Sequence, residues 1–120
     1  MAQQANHPLP GGHPLEEYTI DRQLSLGGFS IVYLAADPDG RQVAIKEYLP
    51  NSLALRAKGE VKPLITPEHL GAFRYGMKCF FEEGRALAKL SHPNVIRVLN
   101  FFRANETVYM VMEYEHGRTL

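Results

Sequence analysis

The chain has 120 residues, of which 45% are hydrophobic and 22% are charged, a balance that predicts one globular domain with a modest core. Thirteen basic and thirteen acidic residues cancel, which argues against a surface dominated by attraction to nucleic acid or anionic membranes. A single cysteine, Cys79, excludes an internal disulfide, and we find no secretory signal, no membrane-spanning apolar run and no zinc-ligand spacing. We therefore expect a cytoplasmic protein with no metal site of its own.

The amino-terminal residues favour an extended conformation. Met1–Pro14 is rich in Gln, His, Pro and Gly and has few groups to bury. Such composition is typical of disorder. We predict a disordered leader over residues 1–17 and a folded domain over residues 18–120.

Three strands are predicted after the leader. Tyr18–Leu26 alternates apolar and polar residues and ends at Gly27-Gly28, where the chain turns into the apolar run Ile31–Ala36. Asp37–Gly40 has turn composition and leads into the strand Arg41–Tyr48. The pattern predicts a three-stranded antiparallel meander.

Residues 49–65, which we call the insert, separate this meander from a helical pattern. Lys58-Gly59 predicts a turn within the insert. Its apolar residues would be costly to expose together, which favours packing on the sheet, the helix or a partner. Two hypotheses follow: the insert steadies the helix and regulates it, or it is an inert surface insertion.

The helical pattern starts at Thr66-Pro67 and runs to about Leu90. Threonine is a common N-cap and proline fits the first helical position. Because glycine weakens a helix, we expect a short helix, a break near Gly76, and then a longer principal helix.

Two further strands, Val95–Arg103 and Thr107–Tyr114, are joined by a turn at Ala104–Glu106. The predicted fold class is α+β, with five antiparallel strands and one principal helix, preceded by a short one, between the third and fourth strands.

One lysine lies within an apolar strand. Lys46 ends the run Val43-Ala44-Ile45-Lys46, and its charge requires a partner or a route to water. Glu83 lies on the apolar face of the predicted helix. We interpret the two as an ion pair. The alternative is that Lys46 reaches solvent along its aliphatic stem while Glu83 is an ordinary rim residue.

The Gly27-Gly28 turn adds a second feature of this site. Glycine lets a ligand approach the backbone closely, and exposed N–H groups at such a turn bind phosphate oxygens, to which a lysine adds a point charge. No Gly-Lys-Ser/Thr opens a helix after the turn, which excludes a Walker loop.

Four segments together resemble the amino-terminal lobe of protein kinases, most closely the bacterial serine/threonine kinases. Leu24–Tyr33 resembles the glycine-rich loop, Val43–Lys46 the third-strand lysine motif, Phe81–Leu87 the helix αC glutamate segment, and Val108–Glu115 the fifth strand and hinge. The resemblance covers residues 18–120.

The resemblance implies that Lys46 holds the α- and β-phosphates of ATP and that Glu83, with Glu82 as its rival, orients Lys46. It implies that Leu24, Val32 and Ala44 enclose the adenine ring, that Met112 is the gatekeeper, and that the backbones of Glu113 and Glu115 bond the adenine edge. The implied nucleotide contacts are Leu24, Ser25, Leu26, Gly27, Gly28, Phe29, Val32, Ala44, Lys46, Met112, Glu113 and Glu115.

Two departures from the family pattern qualify this expectation. Ser25 and Ser30 occupy the first and third glycine positions of the loop, which predicts a stiffer loop and a lower affinity for ATP. No His-Arg-Asp or Asp-Phe-Gly follows the hinge, so this chain alone lacks the catalytic base and the magnesium ligands.

The leading hypothesis is therefore the ATP-binding lobe of a serine/threonine kinase that phosphorylates protein hydroxyls, with Mg²⁺ held mainly by a carboxyl-terminal lobe outside this chain. The alternatives are a non-catalytic nucleotide-binding or interaction module, as in a half-kinase or pseudokinase, and a small-molecule kinase of related fold.

Overall fold

The computed structural model describes residues 6–89 and 97–114. One helix and six strands form in this part of the chain: β1 (Pro14–Leu15), β2 (Tyr18–Leu26), β3 (Ser30–Ala36), β4 (Gln42–Tyr48), α1 (Pro67–Lys89), β5 (Val98–Ala104) and β6 (Thr107–Glu113). All strand pairs are antiparallel, and the sheet order is β1-β2-β3-β4-β6-β5. The five predicted strands and the principal helix between the third and fourth of them are confirmed, and β1 is added at the edge.

The two predicted turns are stabilised by a side-chain cap in one case and by backbone conformation in both. The Asp37 carboxylate accepts the amides of Asp39 and Arg41 at 2.9 and 2.8 Å, and Gly40 has a φ of +83°. Between β5 and β6, Asn105 and Glu106 both have positive φ, as a tight hairpin turn requires. These turns fix the registers of the strands that they join.

The central strand β4 divides the sheet into two faces. Residues directly opposed across strands share a face, so Lys46 lies on the same face as Val32 and Met110. We call this the helix face, because the Tyr48 ring, two residues on, packs against Phe73 of α1 with ring centroids 5.1 Å apart. The opposite, outer face carries Ile31, Tyr33, Ile45, Glu47, Tyr109 and Val111.

Helix α1 is continuous, so the predicted break near Gly76 and the short separate helix are wrong. It begins at Pro67, as predicted, with the Thr66 hydroxyl 2.9 Å from the His69 ring. The helix tolerates Gly76 and Gly84 because both allow close packing: a Cβ would overlap the Tyr48 hydroxyl at the first and the Phe101 ring at the second. Within the described residues, no helix is long and apolar enough to cross a membrane.

The amino-terminal segment differs from the disordered leader expected from composition. Leu9 and Leu15 are 3% and 2% exposed, and Pro14–Leu15 pairs with the start of β2. The Leu9 amide donates a hydrogen bond to the Tyr33 hydroxyl at 3.0 Å. Burial of the two leucines stabilises the packed segment despite the polar residues around them, so the expected disorder is wrong for residues 6–17. Residues 1–5 lie outside the described part.

A buried ion pair on the outer face holds the insert to β4. Arg56 of the insert donates from both terminal nitrogens to the Glu47 carboxylate at 2.7 Å, and both side chains are fully buried. The hydroxyls of Tyr33 and Tyr109 donate to the same carboxylate at 2.7 and 2.5 Å. Bidentate geometry and four donated hydrogen bonds offset the cost of removing the two charges from water.

The pKa values in this cluster reflect its burial. Desolvation, followed by the nearby Glu47 charge, raises the pKa of both Tyr33 and Tyr109, which keeps their hydroxyls protonated as donors. Desolvation alone would lower the pKa of Arg56, but its hydrogen bond and charge interaction with Glu47 raise it overall. The two tyrosines therefore stay neutral and Arg56 stays charged near neutral pH.

The ion pair gives a first prediction. Glu47→Gln leaves the Arg56 charge buried without a counter-charge, and we expect it to lower the free energy of unfolding by roughly 3–5 kcal/mol. Replacing both residues with methionine removes both charges and should recover most of that loss. Chemical denaturation of the three proteins measures the effect, with exposed Glu60→Gln as a control that should match wild type. Equal losses in the single and double variants would contradict the paired-charge account.

The helix glycines give a second prediction. A Cβ added at Gly71 would meet no atom within 4 Å, so Gly71→Ala should stabilise the protein by about 0.5–1 kcal/mol. Gly84→Ala places a methyl group against Phe101 and Met110 and should destabilise it by about 1–3 kcal/mol. Thermal unfolding of the two variants compares them directly, and equal shifts of the same sign would refute close packing at Gly84.

Candidate functional site

A cleft opens between the start of β3, strand β4, the insert and α1. Its volume is about 340 Å³. The cleft is lined by Phe29, Ser30, Lys46, Tyr48, Pro50, Leu53, Ala72, Tyr75, Gly76, Cys79, Phe80 and Glu83. Three of the predicted site residues, Phe29, Lys46 and Glu83, therefore line one cavity. Phe29 belongs to the glycine turn, by which we mean residues 27–30.

Lys46 is held in the cleft by the register of β4. It lies opposite Val32 on one side and Met110 on the other, and it is half-buried. Its Nζ lies 5.9 Å from the centre of the Phe80 ring, which gives the ammonium group a cation–π contact. An ammonium group beside an aromatic ring, in an open cleft, is available to an anionic ligand.

Lys46 and Glu83 face the same cleft without forming an ion pair. Among the described residues, the salt bridge that does form is Arg56–Glu47. Both glutamates are exposed, but Glu83 lines the cleft and Glu82 does not. Position therefore favours Glu83 over its rival. The Lys46–Glu83 ion pair predicted from the sequence is therefore not formed in this structure, although both residues line the cleft.

The glycine turn carries unused hydrogen-bond donors. The Gly27 amide donates to the Ser30 carbonyl at 2.9 Å and closes the hairpin. The described hydrogen bonds include none donated by the backbone amides of Gly28 and Phe29, and both residues are exposed. Two adjacent N–H groups without partners at an exposed turn are suited to anion oxygens.

The strand leading into this turn is irregular. A register shift between Gln23 and Ser25 makes Leu24 an extra residue, and Ser25 lies opposite Val32. Leu26 lies opposite Ile31, so its side chain is on the outer face of the sheet and not on the face that carries Lys46. The side chains of Leu24, Leu26 and Phe29 are 37%, 42% and 75% exposed.

Three of the residues predicted to contact adenine, Val32, Ala44 and Met112, lie on the helix face but do not line the cleft. Ala44 lies opposite Met112, and both are buried, as is Val32. The Glu113 amide donates to the Arg97 carbonyl at 2.9 Å, so this amide is already used within the chain. Glu115 lies outside the described residues.

Sequence reasoning missed the contact between the insert and the glycine turn. The Leu49 amide donates to the Phe29 carbonyl at 2.8 Å, and the Asn51 amide donates to the Gly28 carbonyl at 2.9 Å. It also missed the Glu47–Arg56 pair, for which one signal existed: Glu47 directly follows Lys46 in an apolar strand. Within the described residues, no group of three or more His, Cys, Asp or Glu could hold a metal.

Three known sequences similar to this chain are named protein kinases. The serine/threonine-protein kinase PknD of Chlamydia pneumoniae is 33% identical over 107 residues, covering 88% of this chain and 10% of that protein. The serine/threonine-protein kinase srk1 of Schizosaccharomyces pombe is 30% identical, covering 88% and 17%. The tyrosine-protein kinase MasK of Myxococcus xanthus is 31% identical, covering 91% and 15%. The chain thus spans less than a fifth of these relatives.

Solved structures agree on the fold. The PpkA-294 apo form superposes with a TM-score of 0.84 at 40% identity, covering 94% of this chain and 41% of that one. The PknI kinase domain of Mycobacterium tuberculosis superposes with a TM-score of 0.59 at 21% identity, which reports on the fold alone. The protein kinase domain family matches residues 18–120. The chain belongs to the protein kinase family, and its described residues form the amino-terminal lobe.

Proposed function

We propose that this lobe binds ATP for a serine/threonine protein kinase, which transfers the γ-phosphate to protein hydroxyls. The observation that carries the proposal is that Lys46 and the end of the glycine turn line one cleft. A cation and unpartnered backbone amides are the donors that a triphosphate requires.

The residues of this chain fit each part of the nucleotide. Lys46 binds phosphate oxygens, and the amides of Gly28 and Phe29 supply neutral donors to the same anion. Val32, Ala44 and Met112 supply an apolar surface to the adenine ring, and the Glu113 and Glu115 backbones supply polar contacts to its edge. When bound, ATP supplies the phosphoryl group; this lobe binds and orients it.

Glu83 orients Lys46 in the nucleotide-bound state. Both residues already line the cleft, so we expect a shift of α1 or a change of side-chain rotamer to bring them together when the nucleotide binds. An ion pair there would hold the ammonium group at one position in the cleft, where it could bind the phosphates. Glu83 is thus a positioning residue in this proposal.

The remaining functions belong to parts of the protein outside this chain. We assign Mg²⁺ binding mainly to residues of a carboxyl-terminal lobe, together with the catalytic base and the protein-substrate site. Serine/threonine specificity rests on the names of the relatives PknD and srk1, since MasK is named a tyrosine kinase. A cytoplasmic location is part of the same proposal.

A second candidate is a nucleotide-binding module without phosphoryl transfer. The observation that favours it is the glycine turn itself, where Ser25 and Ser30 replace flexible positions and Ser30 is already paired with Tyr48 as the first residue of β3. A turn committed to strand pairing has less freedom to follow the phosphates through a reaction. ATP binding without phosphate transfer in the protein that carries this lobe and a carboxyl-terminal lobe would favour this candidate.

The nucleotide site gives a third prediction. Lys46→Met removes the charge that binds phosphate but keeps the aliphatic stem against Phe80, so the fold should remain. At ATP concentrations about 100-fold above its Kd, wild type should gain roughly 2.7 kcal/mol of stability, and the variant should gain almost none. Thermal unfolding with and without ATP measures both values.

The matched control is Lys58→Met, because Lys58 is exposed in the insert and away from the cleft. It should keep the full ATP-dependent shift. A Lys46→Met protein that ATP stabilises as much as wild type would remove Lys46 from the site.

A further inference from the structure

The insert contacts the glycine turn through two backbone hydrogen bonds. Leu49 and Asn51 donate to the carbonyls of Phe29 and Gly28, at 2.8 and 2.9 Å. The second half of β2 and the tip of the turn are exposed, so these bonds supply much of what fixes the tip. A turn that would otherwise project into solvent is tied to a segment that follows β4.

These bonds also determine which backbone groups face away from the insert. In a trans peptide the C=O of one residue and the N–H of the next point in opposite directions, and no described peptide is cis. Directing the Gly28 carbonyl at the insert therefore turns the Phe29 amide away from it. The contact withdraws oxygens that would repel a phosphate and leaves an amide that would bind one.

The insert is itself anchored at two places. The Asn6 side-chain amide donates to the carbonyls of Leu49 and Ala54, and its oxygen accepts the Arg56 amide at 2.6 Å. The Arg56 guanidinium is fixed to Glu47 on β4 and donates to the His7 carbonyl at 2.8 Å. The residues that hold the turn are thus held by the outer face of the sheet.

We propose that the insert is a positioning element for the nucleotide phosphates: Asn51 and Leu49 set the orientation of the glycine turn through their backbone amides, and Arg56 and Asn6 anchor them. The inference rests on the proposed ATP site. A turn already held in its binding orientation loses less conformational freedom when the ligand arrives, so the insert raises phosphate affinity.

One substitution removes a single donor. Asn51 is the second residue of a turn closed by the Leu53 amide and the Pro50 carbonyl at 3.0 Å, a position where proline is favoured. Asn51→Pro therefore keeps the turn but deletes the N–H that Gly28 accepts. Asn51→Ala keeps the N–H, and no described side-chain hydrogen bond involves Asn51, so it is the matched control.

The experiment compares the affinities of the intact protein for ATP and for adenosine by calorimetry. Asn51→Pro should weaken ATP binding by about 3- to 10-fold, the effect of one lost net hydrogen bond, and leave adenosine binding unchanged. Asn51→Ala should match wild type for both ligands. Because a general loss of stability would weaken both ligands, the difference between them isolates the phosphate contact. Asn6→Ala, which releases the anchor and keeps both amides, should show the same selective loss.

The outcomes separate this inference from the proposed function. ATP binding to Asn51→Pro as tight as to wild type, or an equal loss for adenosine, overturns the positioning role while the ATP site stands. A wild-type protein that binds no ATP overturns the proposed function. The turn contact is then judged by hydrogen exchange at the Leu49 amide, which should be faster in Asn51→Pro than in Asn51→Ala; equal rates overturn the contact as well.

Discussion

The alternation of side chains along β4 is the constraint on which both faces of this lobe depend. Lys46 and Glu47 are adjacent, so they lie on opposite faces, and each is surrounded by other elements. A slip of one residue would exchange them, placing a carboxylate in the cleft and an ammonium group against Arg56. Such a slip is opposed by the pairing of β4 with both β3 and β6. It is also opposed by the Glu47–Arg56 ion pair, which would be lost.

The outer face shows how a small lobe extends its core. A domain of this size buries a limited fraction of its surface, and a sheet with one helix leaves one face uncovered. Here the leader supplies Leu9 and Leu15, and the insert supplies Ala54 and the Arg56 stem, all buried. Two segments with little regular secondary structure thereby complete the packing. Within the described residues, every buried polar side-chain atom has a hydrogen-bond partner.

Much of the fold was predictable because its signals are local. The Asp37–Gly40 turn, the Thr66-Pro67 helix start and the strand alternation each depend on residues within a few positions of one another. The unbroken helix was not predictable, since the low helix propensity of Gly76 is a local property and the Tyr48 hydroxyl that occupies its space is distant in sequence. The prediction of a disordered leader was wrong for the same reason, because composition does not show which distant surface Leu9 and Leu15 can cover.

The same distinction between local signals and contacts distant in sequence applies to the candidate site. The placement of Lys46 and Glu83 on facing sides of one cleft follows from periodicity, and the structure agrees. Whether they touch is set by the position of α1 as a whole, which no local pattern encodes. The Arg56 partner of Glu47 reaches it through an irregular insert, so spacing could not identify it.

The connection between the two faces is covalent as well as electrostatic. Strand β4 ends at Tyr48, and the next residue, Leu49, donates to the glycine turn on the cleft side while its carbonyl accepts from Asn6. Asn6 therefore bonds the same residue that donates to the glycine turn, so a displacement of Asn6 would act directly on that residue. A lobe built this way couples the packing of its leader to the geometry of its glycine turn, because Leu49 contacts both.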